Sequence, residues 1–233
     1  MGNLLIEEKT IVVPGERLAE GMDYLPANGT YREGESIYSE QYGLLNLNGR
    51  LLKVIPLTGR YLPKKGDTII GRVADIGFSG WRVEFGWAFE ANLNLKDATS
   101  DFIERRADLT QYYDYGDLIA AHIDHVSGSK IIDLTMKGPG LRKLKGGKLI
   151  DIAPAKVSRV IGKQGSMINM IKEYTKCFII VGQNGLVWIS GDNDKNEMLA
   201  AEAIYKIDRE SHIGGLTDSI KLFLEEGVKK NGI

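Results

Sequence analysis

Cysteine is nearly missing from this chain: Cys177 is the only one among 233 residues. That excludes an internal disulfide and any zinc site built on several cysteines. Cys177 lies in the apolar run CFIIV, where a buried thiol is expected rather than a reactive one. Histidine is almost as scarce, with only His122, His125 and His212. His122 and His125 stand three apart in a strand-like segment and so point to opposite faces, which argues against a metal site. Long apolar runs are lacking too. No stretch approaches the roughly 18 apolar residues of a membrane span. The first ten residues, MGNLLIEEKT, hold acids where a signal peptide needs bases, and Ile6 stands where a myristoylation signal needs Ser or Thr. The expectation is a cytoplasmic chain with no membrane contact, no metal and no cofactor.

An excess of charge is also lacking, since the net charge is −1. The balance is uneven along the chain, however. From Lys130 to Lys163 the charged residues are Lys130, Asp133, Lys137, Arg142, Lys143, Lys145, Lys148, Asp151, Lys156, Arg159 and Lys163. A local basic zone of this kind fits contact with a phosphate backbone, and it also fits a solvated linker.

Hydrophobic patterning divides the chain. Residues 1–62 hold short apolar runs, IVVP, GLLNL and RLLKVIPL, punctuated by glycine and proline, with Asn48-Gly49 as a hairpin signal. This predicts a small all-β N-terminal domain. Residues 63–137 alternate apolar and polar positions through KKGDTIIGRVADIGFSGWRVEF, with GFSG as a turn. YGDLIAAHIDHV and KIIDLTM form a further strand pair around SGS. Five short strands in so short a segment predict a closed barrel of the OB-fold type, a fold that commonly binds single strands. Residues 138–147, GPGLRKLKGG, read as a basic, glycine-rich connection.

From 148 to 233 the period changes to strand, helix, helix, strand, strand, helix. LIDIA is a strand, and Pro154 opens a helix with Val157, Val160 and Ile161 on one face. Ser166 is expected to cap a second helix, with Met167, Ile168, Met170, Ile171 and Tyr174 turned inward. CFIIV and LVWIS pair across GQNG. Asp194 with Glu197 is expected to start a helix that buries Met198, Leu199, Ala201 and Ile204, and a last helix begins near Asp218.

Between the first two of these helices stands Gly162-Lys163-Gln164-Gly165. A Walker loop would need glycine where Val157 stands and a hydroxyl where Gln164 stands. A dinucleotide fingerprint would need a third glycine between strand and helix. What remains is the GxxG loop of a KH domain, whose glycines let the backbone approach the phosphates of a short single strand. A helix-turn-helix with a glycine turn is the bland alternative.

With that order in place, the chain resembles the RNA-binding cap subunits of the archaeal exosome, the ribosomal-RNA-processing-protein-four type. IVVPGERLAEG and GTYREGESIYSEQYGLLN resemble the N-terminal domain of that family, and LPKKGDTIIGRVADIGFSGWRVEF with YYDYGDLIAAHI its S-one barrel. VSRVIGKQGSMINMIKE with GQNGLVWISG resembles its type I KH domain, and SHIGGLTDSIKLF its C-terminal tail. The implied fold is multidomain and mainly β, with a C-terminal α+β domain. The implied function is to bind single-stranded RNA and feed it to a hexameric ring of RNase PH-like subunits, three cap subunits per ring. The N-terminal domains would dock on the ring and the barrels surround its pore. Catalysis would lie in the ring. The rival is a transcription factor of the NusA kind, which also places an S-one barrel before KH modules. It carries two KH domains and a longer, more helical N-terminal region.

The expected RNA contacts in the KH domain are Gly162, Lys163, Gln164 and Gly165, with Lys156 and Arg159 in support. In the barrel they are Arg72, Phe78, Trp81 and Arg82, since bases stack on aromatics while guanidinium groups hold phosphates. Trp81 fits a core position equally well. Arg105 and Arg106 are candidates for facing the pore, or else a solvated pair. FEANLNLKD lacks the histidine usual after the third strand of S-one domains, which weakens any carry-over of stacking positions from other S-one proteins.

Overall fold

The computed structural model describes residues 3–99, 103–104, 107–211 and 215–231. Two units emerge, residues 1–60 and 61–233.

In the first unit the described strands are short and turn-rich, as the glycine and proline punctuation dictates. They are β1 (Asn3–Leu4), β2 (Ile11–Val12), β3 (Arg17–Glu20), β4 (Leu25–Pro26), β5 (Thr30–Glu33), β6 (Ser36–Ser39), β7 (Gly43–Asn48) and β8 (Leu51–Pro56). They form two four-stranded sheets, ordered β1-β3-β6-β5 and β2-β7-β8-β4. Val12, Leu18, Ile37, Leu45 and Leu52 make the core. The β7–β8 hairpin turns on Gly49-Arg50, with Asn48 opposite Leu51 and Gly49 at φ +63°. The signal Asn48-Gly49 is therefore shifted by one: asparagine is the last strand residue and glycine takes the left-handed position.

The second unit opens with the barrel. Its strands are β9 (Thr68–Gly77), β10 (Gly80–Glu84), β11 (Ala91–Asn94), β12 (Leu118–Val126) and β13 (Ile132–Thr135), with a single helical turn α1 (Leu95–Ala98) after β11. β9 pairs with β10, β10 with β11, β11 with β13, β13 with β12 and β12 with β9, which closes the ring and leaves only the Leu118–Ala120 side of β12 open among these five. Alternation along β10 turns Trp81 and Val83 inward and Arg82 and Glu84 outward. On β9 the alternation fails, because Ile69 and Ile70 are adjacent and both fully buried. Ile69 belongs to the barrel core; Ile70 lies on the outer face in a second cluster with Ala120, Leu144 and Trp188.

That second cluster draws in the predicted connection at 138–147. Arg142–Leu144 is a strand, β14, which pairs antiparallel with β12 and adds a sixth strand to the barrel. The backbone of Leu118–Ala120 had donors and acceptors available on that side, and β14 satisfies them.

The KH half follows: β15 (Lys148–Asp151), a 3-10 turn at Pro154–Lys156, α2 (Val157–Ile161), α3 (Ser166–Thr175), β16 (Phe178–Val181), β17 (Leu186–Ser190), α4 (Asp194–Glu210) and α5 (Leu216–Asn231). The sheet is antiparallel, ordered β15-β17-β16. One face carries Ile150, Ile179, Val187 and Ile189 against Val157, Val160, Ile168, Ile171 and Ile204 of the helices. α5 places Ile220 and Leu224 in the same core, so it is a packing element of this domain.

The helix starts differ from the sequence expectations. Ser166 does not cap α3; it is the first helical residue, the cap position is Gly165 and no side chain caps it. The cap of α4 is Asn193, one residue earlier than Asp194, and its side chain accepts from the Asn196 N–H. Glu197 is spent elsewhere, accepting from the Gly191 N–H at 3.0 Å. Met198 is exposed, while Leu199, Ala200, Ala203, Ile204 and Ile207 form the buried face of α4. Of the predicted inward residues, Leu199 and Ile204 are buried and Ala201 is partly buried against the core.

Candidate nucleic-acid interface

The GKQG loop is built from the helix it ends. Val157 and Val160 anchor α2 in the core. At Gly162 the chain leaves the helix at φ +76°, and its N–H still closes on the Ser158 carbonyl at 3.0 Å. Only glycine fits there. A Cβ would sit 2.7 Å from both Cβ and N of Met167, in a conformation L side chains rarely adopt. Gln164 also has positive φ, +53°, and Gly165 follows at +79°. The outcome is a protrusion on which Lys163 and Gln164 are exposed, directly before the first turn of α3. That first turn carries no side-chain cap; the Ser166 N–H donates back to the Lys163 carbonyl, and the end of the helix dipole that carries partial positive charge lies beside the loop.

Lys163 makes no ion pair among the described residues. Its two predicted supports are engaged. Lys156 Nζ donates to the Asp208 carbonyl at 2.6 Å and lies 3.5 Å from its carboxylate. Arg159 Nε donates to the Ser211 carbonyl at 3.1 Å. Arg159 and Lys163 nevertheless line an open cleft of about 540 Å³, with Ser158 and Ser166 on the same wall and Thr217 and Asp218 of α5 on the other. Those last four were not found from sequence. The α5 wall is some fifty positions from the loop along the chain, and no local pattern links the two.

On the barrel, Arg72, Phe78 and Arg82 are exposed, and the Phe78 ring in the β9–β10 turn is fully so. Arg82 sits 3.6 Å from Asp75 and 4.0 Å from Glu90, solvated pairs that phosphate can displace at little cost. Trp81 is a correction: it is 1% exposed in the barrel core. Its Nε1 donates to the Tyr113 carbonyl at 2.8 Å, and its ring meets the Tyr113 ring edge-on at 5.2 Å. No base can stack on it. Arg105 and Arg106 lie outside the described residues.

This division gives a paired expectation. Phe78→Ala lowers affinity for single-stranded RNA about fivefold, the lower end for one stacked base, with no change in melting temperature. Trp81→Phe loses about 1–2 kcal/mol of stability through its hydrogen bond and lost volume, with RNA affinity unchanged. Anisotropy titrations and urea unfolding measure the two.

The GQNG hairpin does something the sequence did not disclose. Asn184 is 8% exposed and reaches out of the KH domain into the barrel. Its Nδ2 donates to the carbonyls of Ile70 at 2.8 Å and Phe85 at 2.9 Å, and its Oδ1 accepts from the Ile70 N–H at 3.2 Å. Beside it the Gln183 N–H donates to the Thr68 carbonyl at 2.7 Å. A Cβ at Gly182 would stand 2.3 Å from Asn184 Oδ1, so glycine keeps this side chain in place. Around the hydrogen bonds, Ile70, Ala120 and Leu144 pack on Trp188, with Ile180 and Leu186 alongside. The hairpin joins the two domains into one unit.

Elsewhere the site chemistry is quiet. Burial pushes the Cys177 thiol up, away from the thiolate form. His122 pairs with Thr68 Oγ1 at 3.0 Å. Among the described residues no group of three or more His, Cys, Asp or Glu side chains is placed to hold a metal, and no helix is long and apolar enough to cross a membrane.

Comparison with known proteins gives three domain matches along the chain. Residues 9–58 match the exosome RNA binding protein RRP4 N-terminal domain, 60–125 the RRP4 S1 domain and 147–195 a KH domain. The exosome complex component Rrp4 of Pyrococcus abyssi is 48% identical over 227 residues, covering 96% of this chain and 85% of that protein. Its counterpart in Thermococcus kodakarensis is 47% identical, covering 96% and 88%. A crystal structure of a protein named, provisionally, as an exosome complex RNA-binding protein superposes with a TM-score of 0.67 at 33% identity, covering 74% of this chain and 99% of that one.

Proposed function

The chain belongs to the Rrp4 family of exosome components, and on that premise we propose that it is a non-catalytic, RNA-binding cap subunit of a 3′-to-5′ RNA-degrading complex. It binds single-stranded RNA, hands it to the central pore of a ring of RNase PH-like subunits, and leaves cleavage to that ring. Three copies cap one ring in the cytoplasm. The N-terminal domain, residues 1–62, docks on the ring, and the barrel, 63–137, borders the pore.

The observation that carries the RNA-binding part is the GKQG protrusion. Gly162 and Gly165 hold positive φ, Lys163 and Gln164 are exposed, and α3 begins uncapped behind them. A phosphate placed there meets the lysine charge and the positive end of the dipole of a ten-residue helix. Arg159 extends that charge along the cleft. On the barrel, Phe78 offers a stacking face with Arg72 and Arg82 on the same outward side of the β9–β10 ribbon.

Two measurements test the proposal. Purified alone, the chain leaves labelled RNA intact with phosphate and with magnesium; robust turnover sinks the non-catalytic reading. Affinity purification from the native cell recovers two RNase PH-like proteins in stoichiometric amount; recovery of RNA polymerase in their place overturns the exosome assignment.

A further inference from the structure

Resting on the reading of the chain as an RNA binder, we propose a second single-strand contact at the seam between barrel and KH sheet, made of Phe178 as a stacking platform and Arg142 as its phosphate clamp. Neither residue belongs to the GKQG protrusion or to the β9–β10 ribbon.

The basic run from Lys130 to Lys163 exceeds what the GKQG loop uses, and β14 shows where part of the excess goes. Pairing with β12 sets Arg142 opposite Ala120, at the outer end of the added strand. There the guanidinium carbon lies 5.9 Å from the centre of the Phe178 ring and 5.7 Å from that of Trp188. Lys143, the next residue, is taken by an ion pair with Asp117. Lys145 and Lys176 are exposed, the latter two positions before Phe178.

Phe178 is 68% exposed at the start of β16, while the next residue, Ile179, is buried against the helices. Alternation therefore puts Phe178 on the sheet face that the barrel covers through Ile180 and Trp188. It is the residue of that row that runs past the cover. An aromatic ring left in water with a guanidinium drawn over it has the two parts that single-strand binders combine, a π-face for a base and a cation for the adjoining phosphate. Arg142 is already oriented by the two rings, so less side-chain freedom is lost when it meets a phosphate. Charge favours nucleic acid over a protein partner: Arg142 and Lys176 make no ion pair among the described residues, and Lys145 with Lys143 outnumbers the one carboxylate, Asp117, that they share.

The test uses the full chain and a short fluorescein-labelled oligouridylate in anisotropy titrations. Phe178→Ala weakens binding about fivefold or more, as expected for one stacked base, and leaves the salt dependence unchanged. Phe178→Trp restores it. Arg142→Gln weakens binding and lowers the slope of log affinity against log salt by about 0.7, as for one phosphate released on a single strand. A 4-thiouridine oligonucleotide cross-links to the peptide containing Phe178. Wild-type affinity in Phe178→Ala, with no cross-link there, overturns this inference alone, and loss of ring subunits in that variant assigns the ring to protein docking. Failure of the unaltered chain to bind the probe overturns the RNA-binding reading along with it.

Discussion

Asn184→Leu separates the barrel from the KH domain and lowers stability by on the order of 3 kcal/mol or more. Leucine fills a similar volume but leaves the Ile70 N–H and the carbonyls of Ile70 and Phe85 without the partners they now have. Each stranded buried group costs about 1–3 kcal/mol, a large share of the roughly 5–15 kcal/mol that holds a typical protein folded. In urea the variant is expected to unfold in two transitions where the unaltered unit shows one, with proteolysis between β14 and β15. Asn184→Asp is nearly as damaging, because a carboxylate keeps the acceptor for Ile70 but aims it at two carbonyl oxygens with no hydrogen to give. Gln183→Ala is the control. Gln183 reaches the barrel through its backbone N–H, so removing its side chain leaves stability unchanged. A loss below about 1 kcal/mol in Asn184→Leu means water has taken over those bonds.

The same residue shows where sequence reading runs out. GQNG reads as a hairpin turn, and it is one. Its second task depends on Ile70, 114 positions away, and no local period encodes a partner at that distance. Elements whose cause is local were legible: the alternating strands of the barrel, the Phe78-Ser79 turn, and the order of helices and strands around GKQG. The glycine loop was legible for the same reason, since positive φ and a missing Cβ are properties of the residues themselves. Features decided by a distant neighbour were misread or left open. Trp81 alternates inward, yet only Tyr113 makes it a satisfied core residue. GPGLRKLKGG has linker composition, and the free side of β12 turns its middle into a strand. The cleft beside Lys163 needs the start of α5 for its second wall.

Replacing Lys163 and Gln164 together by aspartate lowers affinity for single-stranded RNA at least about tenfold at low salt, with the deficit shrinking as salt rises. Charge goes from +1 to −1 at the first position and from 0 to −1 at the second, on an exposed protrusion that a phosphate must approach. The slope of log affinity against log salt falls by about 0.7 for each phosphate that the loop no longer holds. The fold is not what suffers. Gln164 sits at φ +53°, a region in which aspartate is enriched among non-glycine residues. Both new carboxylates stand at the start of α3, where the helix field favours negative charge by about 0.3–1 kcal/mol at low salt. Lys163 gives up no ion pair among the described residues. The variant is therefore expected to melt at or slightly above the unaltered chain, so weakened binding cannot be traced to unfolding. Unchanged affinity would instead leave the loop idle, with the KH fold kept for the grip that Asn184 takes on the barrel. The expected pairing, lower affinity with a lower salt slope and undiminished stability, is what an electrostatic clamp produces and a structural loop does not.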